Sequence, residues 1–439
     1  GLFIPMNIQV KDPNWPARNM LDFSFSVKPG EARTLWLDTR DRILARGKSL
    51  YLTIASASPE FGPQVLEGAH VRLIFKPSKD AFREHVQDRF AQVRDNYAHW
   101  MEERTSDPRL NLYNRLVSDL KDLLVVDPKH YPGQNYWYDL DHSYSKPAFV
   151  QTACPDGIPL WAFQQIEDLR YFKRFVLWWI DNRQIENGEL GGGLSDDDDL
   201  TNCWPGAALM GVEPEKIRNA ILKLLDAIYD QGMFTNGLST IQTDGLHAHE
   251  EGIEAQTQAM LVDYGSPKQL ERIMETVKSL DERLILKNKA GHRHFRSSYF
   301  SGTKMADESV WEWSLQPQVF LLLQPVLTLA EFNGNARARQ LAIDVADGLL
   351  AHARKDENGK IILDYLVNFS TDASRPSPLG SKGVLTSSLS DGATISTSSA
   401  GLQLLWAVYR MTGEKKYLQP LLDLGEGVLG VLCPDALDL

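Results

Sequence analysis

A run of glycines followed by a run of aspartates is the part of this sequence best suited to chemistry. Three glycines at 191–193 precede four aspartates at 196–199, and Trp204 follows. The glycines permit close backbone approaches, and aspartate is favoured at a helix start. Neighbouring carboxylates repel one another, so partial burial should raise the pKa of at least one of them. Such an acid can donate a proton near neutral pH, although an exposed acidic loop or a calcium site would use the same residues.

Glu250 is the predicted partner of this acid. Hydrolysis of a glycosidic bond needs two carboxyl groups, one as acid and one as base or nucleophile. We expect Asp197 or Asp198 to turn inward and to form this catalytic pair with Glu250. The alternative role of Glu250 and Glu251 is to complement the dipole of a helix start.

Histidines and aromatic residues supply the predicted binding groups. Two His-x-His pairs, at 247/249 and 292/294, could hold a metal with Glu250 as a further ligand. We favour a site without metal or cofactor, in which Arg296 grips the carboxylate of an acidic sugar in a fork. Aromatic faces would stack on the sugar rings. The expected substrate-binding residues are Trp137, Trp204, His247, His249, His294, Arg296, Tyr299 and Trp311.

The same groups admit a second reaction. β-Elimination in a uronate needs a group that neutralises the carboxylate, a base for the C5 proton and an acid for the leaving oxygen. Arginine, histidine and Tyr299 could supply these three functions. The aspartate run has no evident task in such a lyase, so we rank it below hydrolysis. A non-catalytic glycan-binding protein is the third hypothesis.

Composition excludes several other classes. The chain has 439 residues, 43% hydrophobic and 24% charged, with a net charge of −12. This charge disfavours an extended nucleic-acid surface, whereas a local basic cluster still permits an acidic oligosaccharide or polysaccharide partner. No run is apolar enough to span a membrane, and the three cysteines suggest no disulfide framework. No signal peptide is recognisable, so localisation is open, and a polysaccharide-degrading enzyme would be periplasmic or secreted. The oligomeric state is open as well.

The hydrophobic pattern divides the chain into three parts. Residues 1–80 carry short β-rich segments at 23–27, 34–37, 49–55 and 71–75, which predict a β-sandwich-like domain. Residues 81–106 predict a helical linker, and residues 107–439 predict successive helical hairpins. Apolar helices are expected at 200–210, 253–264, 310–332 and 397–411, each followed by an amphipathic helix. Pro317 and Pro325 should break the third of these. The loops that enter the apolar helices should open at one end and form a cleft.

These features resemble the (α/α)-toroid, six-hairpin carbohydrate-active enzymes. The resemblance is carried by GGGLSDDDD at 191–199, HAHEE at 247–251 and the repeated hairpins, and it covers roughly residues 110–432. Bacterial β-glucuronidase-like glycoside hydrolases and uronate polysaccharide lyases are enzymes of this kind. The resemblance implies a mainly α fold, an (α/α) toroid preceded by a β-sandwich-like region and a helical linker. It also implies a hydrolase acting on a glucuronide-type glycan, of unspecified sugar, linkage and stereochemistry.

Overall fold

Helices dominate the structure. The computed structural model describes residues 3–44, 47–59, 61–102, 111–304, 313–355, 359, 361–364, 366–375 and 392–432. About 54% of the chain is helical, and the strands form small antiparallel sheets, which confirms the predicted mainly α class. The chain divides into two compact units, Gly1–Ala153 and Cys154–Leu439.

The first unit begins with a single antiparallel sheet. Its strands are β1 (Ile4–Lys11), β2 (Asn19–Val27) and β3 (Tyr51–Ala55), in the order β2-β1-β3. A β-sandwich requires two facing sheets, whereas the described residues of this unit form a single sheet. The segments predicted as strands at 34–37 and 71–75 have no regular secondary structure, and they carry exposed apolar side chains such as Trp36 and Phe75. Alternating β-formers alone could not reveal that these segments lack a pairing strand.

Three helices complete the first unit. They are α1 (Ser78–Glu102), α2 (Leu112–Val126) and α3 (Tyr131–Leu140), preceded by a 3₁₀ turn at Pro63–Leu66. The helix predicted as a linker is α1, and it packs along α2 through Val93, Leu116 and Leu120. The unit therefore includes α2 and α3, which the sequence pattern grouped with the later hairpins.

A buried ion network ties the sheet of this unit to its helices. Arg89 on α1 is 1% exposed and bonds Asp12, which follows β1, and Asp119 on α2. Arg18 bonds both Asp12 and Asp88. Burying a charge away from water is costly, and the cost is compensated only while each charged group keeps its oppositely charged partner.

The second unit is a series of packed helical hairpins. The order of its helices is α4 (Leu160–Asn182), α5 (Leu194–Thr201), α6 (Trp204–Leu209), α7 (Pro214–Asp230), α8 (Gly245–Ala248), α9 (Glu254–Val262), α10 (Pro267–Ser279), α11 (Gln316–Val319), α12 (Gln324–Asn333), α13 (Ala336–Ala351), α14 (Gly392–Thr412) and α15 (Lys415–Leu432). Four successive pairs pack against each other: α6 with α7, α9 with α10, α12 with α13, and α14 with α15. π-Helical turns at His249–Ile253 and Leu280–Leu284 follow α8 and α10, and a 3₁₀ turn at Phe320–Leu323 joins α11 to α12.

Short strands connect these helices. They pair as hairpins or ribbons: β4 (Phe234–Thr235) with β5 (Leu238–Ser239), β6 (Thr243–Asp244) with β9 (Tyr299–Phe300), β7 (Ile285–Lys287) with β8 (Arg293–Phe295), β11 (Arg354–Lys355) with β12 (Ile361–Ile362), and β10 (Trp313–Leu315) with β13 (Leu366–Asn368), which also pairs with β14 (Ser374–Arg375). The predicted break of the apolar helix at 310–332 is confirmed, because α12 begins beside Pro325 after the 3₁₀ turn. Across the described part of the chain, no helix combines the length and apolarity that a bilayer crossing requires.

Replacing Arg89 with methionine tests the ion network. The substitution leaves two carboxylates without their buried partner, so we expect it to lower the free energy of unfolding by about 3–5 kcal/mol. Urea denaturation followed by tryptophan fluorescence measures this loss. Arg94→Met is the matched control, since its ion pair with Asp95 is exposed, and it should change stability by about 0.5 kcal/mol or less. Equal losses in the two variants would refute a structural role for the buried network.

Candidate active site

The glycine loop is held by Asp197. Gly191 and Gly193 have positive φ angles of 114° and 93°, which explains why glycine stands at these positions. Helix α5 begins directly after Gly193, and the Asp197 carboxylate in its first turn folds back over the loop. It accepts hydrogen bonds from the backbone N–H of Leu190, at 2.5 Å, and of Gly192, at 2.9 Å. Asp197 is 2% exposed, so the structure gives it the role of holding the loop, in place of the predicted catalytic role.

Asp198 joins α5 to α9. One of its carboxylate oxygens accepts the N–H of Ala255 at 2.9 Å, and the other accepts the side-chain amide of Gln258 at 3.0 Å. The residue is fully buried, and burial raises the pKa of its carboxyl well above the usual value. A substrate in solvent does not reach a carboxyl group in this position. The predicted catalytic role of Asp198 is therefore also replaced by a positioning role.

A π-helical turn places the second group of acids. Helix α8, the turn at His249–Ile253 and α9 follow one another without a loop, and Gly252 interrupts them with a φ of 136°. A Cβ atom there would lie 2.9 Å from both Ile228 Cγ2 and Phe234 Cε2, so only glycine fits. π-Helical turns of this kind are frequent at functional sites. Here the turn brings Glu250 and Glu254 next to the aspartate helix.

Asp199, Glu250 and Glu254 form a cluster of coupled carboxyl groups. Burial, followed by a hydrogen bond with Asp199, raises the pKa of Glu254 to about 8. Glu254 therefore keeps its proton at neutral pH and is hydrogen-bonded to Asp199. Burial and the charge of Asp199 also raise the pKa of Glu250. The Glu254 side chain is 13% exposed and Asp199 is exposed, so the pair borders solvent.

A neutral histidine lies behind this pair. His249 is 5% exposed, and burial lowers the pKa of its imidazole. Its Nε2 donates to Gln324 Oε1 at 3.0 Å, which leaves Nδ1 unprotonated and facing Glu254 at 3.7 Å. His249 thus stands beside the acid and is itself held by Gln324, which differs from the direct substrate contact that the sequence predicted.

A β-ribbon brings two further predicted residues together. Strands β6 and β9 pair Asp244 with Tyr299. Asp244 also accepts from His247 Nδ1 at 2.8 Å, and this hydrogen bond raises the pKa of the His247 imidazole. The His247 side chain is 61% exposed and available to a ligand. Arg296 follows β8, and its backbone N–H donates to the carbonyl of Leu284 at 2.8 Å.

The four remaining predicted binding residues have different outcomes. Trp204 is fully buried in the apolar core around α7, so its ring packs against side chains and cannot stack on a sugar. Trp137 lies on α3 of the first unit, in edge contact with Tyr144. His294 is 2% exposed and contacts His352 and Asp372, which rules out contact with a dissolved substrate. Trp311 lies outside the described residues.

Sequence reasoning missed the two acids with the strongest coupling. Asp199 belongs to the predicted aspartate run, yet the catalytic role was assigned to Asp197 or Asp198, which are the buried members of that run. Glu254 lies four residues after Glu250, and this spacing places two side chains on one helical face. That spacing was the available signal. His352 and Asp372, which form a separate cluster with His292 and His294, have no such signal in the sequence.

Comparison with known proteins adds no family to this picture. No protein-family profile matches the sequence. No curated protein and no solved structure gives a significant match either. The geometry of the described residues therefore carries the functional proposal.

Replacing Asp197 with alanine tests its role in the glycine loop. The change removes the acceptor of the loop N–H groups at 190 and 192, so we expect the free energy of unfolding to fall by about 2 kcal/mol. Urea denaturation measures the change. The control is Asp196→Ala, which removes an exposed carboxylate one position earlier. A loss as large for Asp196→Ala as for Asp197→Ala would argue against a specific role for the Asp197 hydrogen bonds.

Replacing Glu254 with glutamine tests the buried proton. An unfolded glutamate ionises near pH 4.5, whereas folded Glu254 keeps its proton until about pH 8. The folded state therefore binds more protons between these values, and this contribution makes stability fall as pH rises. The amide of Glu254→Gln does not ionise and still donates to Asp199. We expect the variant to match the parent near pH 4.5 and to exceed it near pH 8 by on the order of a few kcal/mol.

Denaturation of both proteins at several pH values measures this difference. Comparing variant with parent at each pH cancels the titration of the groups that do not interact with Glu254. A stability difference that does not change with pH would show that Glu254 ionises normally in the folded chain.

Proposed function

We propose that this chain is a glycoside hydrolase that cleaves a uronic-acid-containing, glucuronide-type glycan. The observation that carries the proposal is the hydrogen-bonded pair of Glu254 and Asp199 at the border of solvent, where burial raises the pKa of Glu254 to about 8. A carboxylic acid that is protonated at neutral pH and borders solvent can protonate the leaving oxygen of a glycosidic bond.

The three clustered carboxyl groups take different roles in this reaction. Acid and nucleophile or base in glycosidases are separated by about 5 Å or more. Asp199 and Glu254 share a hydrogen bond, which is a shorter separation, so we assign them together as the proton donor. Glu250, one helical turn earlier, is the second carboxylate, which acts on the anomeric carbon or on the attacking water. In this assignment Glu250 retains the catalytic role that the sequence predicted. Asp199 and Glu254 take the role that was predicted for Asp197 or Asp198.

An acidic substrate is favoured by the basic groups near these acids. His247 is exposed, and the hydrogen bond with Asp244 favours its protonated, cationic form. A cation at the surface of a strongly acidic chain can attract the carboxylate of a uronic acid. Arg296 and Tyr299 are the further residues that we assign to substrate binding.

The scaffold is proposed to be part of an (α/α) toroid. Support comes from the sequential packing of hairpins in the second unit, from α6–α7 to α14–α15, and from the succession of apolar and amphipathic helices. An enzyme of this type would act in the periplasm or outside the cell.

A uronate lyase is the second candidate. The observation in its favour is the pairing of Asp244 with Tyr299, which places the phenol beside the strand that leads into His247. Tyrosine and histidine together could remove the C5 proton and protonate the leaving oxygen. This reaction leaves the proton shared by Asp199 and Glu254 without a function, so it ranks second.

A paired assay separates these candidates. Uronate-containing oligosaccharides and polysaccharides are incubated with the chain, and reducing ends are measured together with the ultraviolet absorbance of a new conjugated double bond. Hydrolysis gives reducing ends without absorbance. We expect Glu254→Gln to lower turnover by about 10²–10⁴-fold, with Asp199→Asn also strongly impaired.

Asp196→Asn is the matched control, since it neutralises an exposed carboxylate of the same run and should retain turnover. New absorbance with Glu254→Gln fully active would replace the hydrolase by the lyase. Calorimetric binding of the oligosaccharides without turnover would replace both by a glycan-binding protein.

A further inference from the structure

A cluster of three histidines and one aspartate lies in the second unit and shares no residue with the carboxyl site. His292, His294, His352 and Asp372 each offer one ligand atom, and these atoms all lie within 4.8 Å of one another. We propose that they bind one Zn²⁺ ion.

The distances between the ligand atoms fit a tetrahedral ion. Zinc bonds of about 2.0–2.1 Å separate neighbouring tetrahedral ligands by about 3.3 Å. His294 Nε2 lies 3.1 Å from His352 Nε2. Asp372 Oδ1 lies 3.6 Å from the first of these nitrogens and 3.4 Å from the second. His292 Nδ1 lies 3.1 Å from the same Asp372 Oδ1, and all four ligand atoms lie within 4.8 Å of one another. A single cation can therefore contact all four side chains once the most widely separated pair moves closer.

The choice of zinc follows from the ligand types. Imidazole nitrogen and carboxylate oxygen are both ordinary zinc ligands, and four protein ligands complete its preferred tetrahedron. Three imidazoles are a poor set for calcium or magnesium, which require oxygen ligands. A carboxylate with three neutral imidazoles also leaves one positive charge on the complex, which is moderate for a partly buried site.

The surrounding structure holds each ligand in position. Gly348 on α13 lets this helix approach β8, because a Cβ atom there would lie 2.5 Å from the Arg293 carbonyl oxygen and 3.0 Å from His294 Cε1. His352 caps the C-terminal end of the same helix. Asp372 has a φ of 59°, which aspartate tolerates better than most residues. This unusual conformation turns its carboxylate towards the histidines.

Asn288 supplies the outer hydrogen bonds of the cluster. Its amide nitrogen donates to Asp372 Oδ1, and its oxygen accepts the backbone N–H of His292 at 3.0 Å. Outer partners of this type fix the orientation of metal ligands. The three histidines differ in their exposure to solvent. The His294 and His352 side chains are 2% and 7% exposed, whereas that of His292 is 36% exposed, so an ion would enter the site past His292.

The proposed ion connects segments that are far apart in the chain. One ligand pair comes from the β7–β8 hairpin, one ligand from the end of α13, and one from the loop between β13 and β14. Its expected role is to fasten these segments, and this role is independent of glycan hydrolysis.

Zinc binding by the full chain tests the proposal. The purified protein is stripped with a chelator, and Zn²⁺ is titrated in competition with a chromophoric chelator. We expect one tightly bound Zn²⁺ per chain and a higher melting temperature in its presence. Co²⁺ at the same site should give the strong visible absorption of a four-coordinate ion. Asp372→Asn and His352→Gln should each weaken Zn²⁺ binding by more than 100-fold, and Asn288→Ala by about 10–100-fold.

Two features of the design keep the result interpretable. Asparagine at 372 also tolerates a positive φ, so Asp372→Asn changes the ligand with little effect on the backbone, and circular dichroism verifies folding. His142→Gln replaces an exposed histidine of the first unit and should bind Zn²⁺ as the parent does. Equal Zn²⁺ affinity in parent, Asp372→Asn and His352→Gln, or no binding by the folded parent, would overturn the proposal and leave a hydrogen-bonded His–Asp cluster.

Discussion

The candidate active site depends on two carboxylates that are not available for catalysis. Asp197 closes the glycine loop onto the start of α5, and Asp198 fastens α5 to the first turn of α9. Both are buried, so each must find hydrogen-bond donors within the protein. Once these donors are engaged, the next residue of the run, Asp199, is directed to solvent beside Glu254. Two positioning aspartates thus determine where the third one lies.

The same arrangement explains why Glu254 stays protonated next to other carboxyl groups. Burial removes water from around Glu254, and the negative charges of Asp199 and Glu250 oppose its ionisation. A shared proton resolves the conflict, because one hydrogen bond replaces the repulsion of two carboxylates. His249 cannot supply a compensating positive charge, since its own burial favours the neutral ring. The environment therefore selects the protonated state for electrostatic reasons that involve the whole cluster.

The sequence predicted local features such as helices and helix breaks, but it did not predict the tertiary contacts between distant segments. The apolar pattern at 253–264 predicted the helix observed as α9, and Pro325 marked the start of α12. The aspartate run was found, and Asp197 and Asp198 do turn inward, but their hydrogen-bond partners were not predicted, because Ala255 and Gln258 lie far along the chain. The sequence likewise could not show whether the Trp204 ring is buried in the core or exposed where a sugar could stack on it. The His–Asp cluster joins residues that only the fold brings together.

The glycine loop before α5 should be more rigid than its composition suggests. Its amide groups at 190 and 192 are bonded to a carboxylate that is itself 2% exposed, so their hydrogens exchange only when these hydrogen bonds to the first turn of α5 break. Exchange of these amide hydrogens then reports the opening of a packed unit, whereas most loops exchange through local fluctuations. A glycine-rich sequence usually indicates a mobile loop. Here the loop is expected to be rigid and to support the carboxyl groups of α5 that follow it.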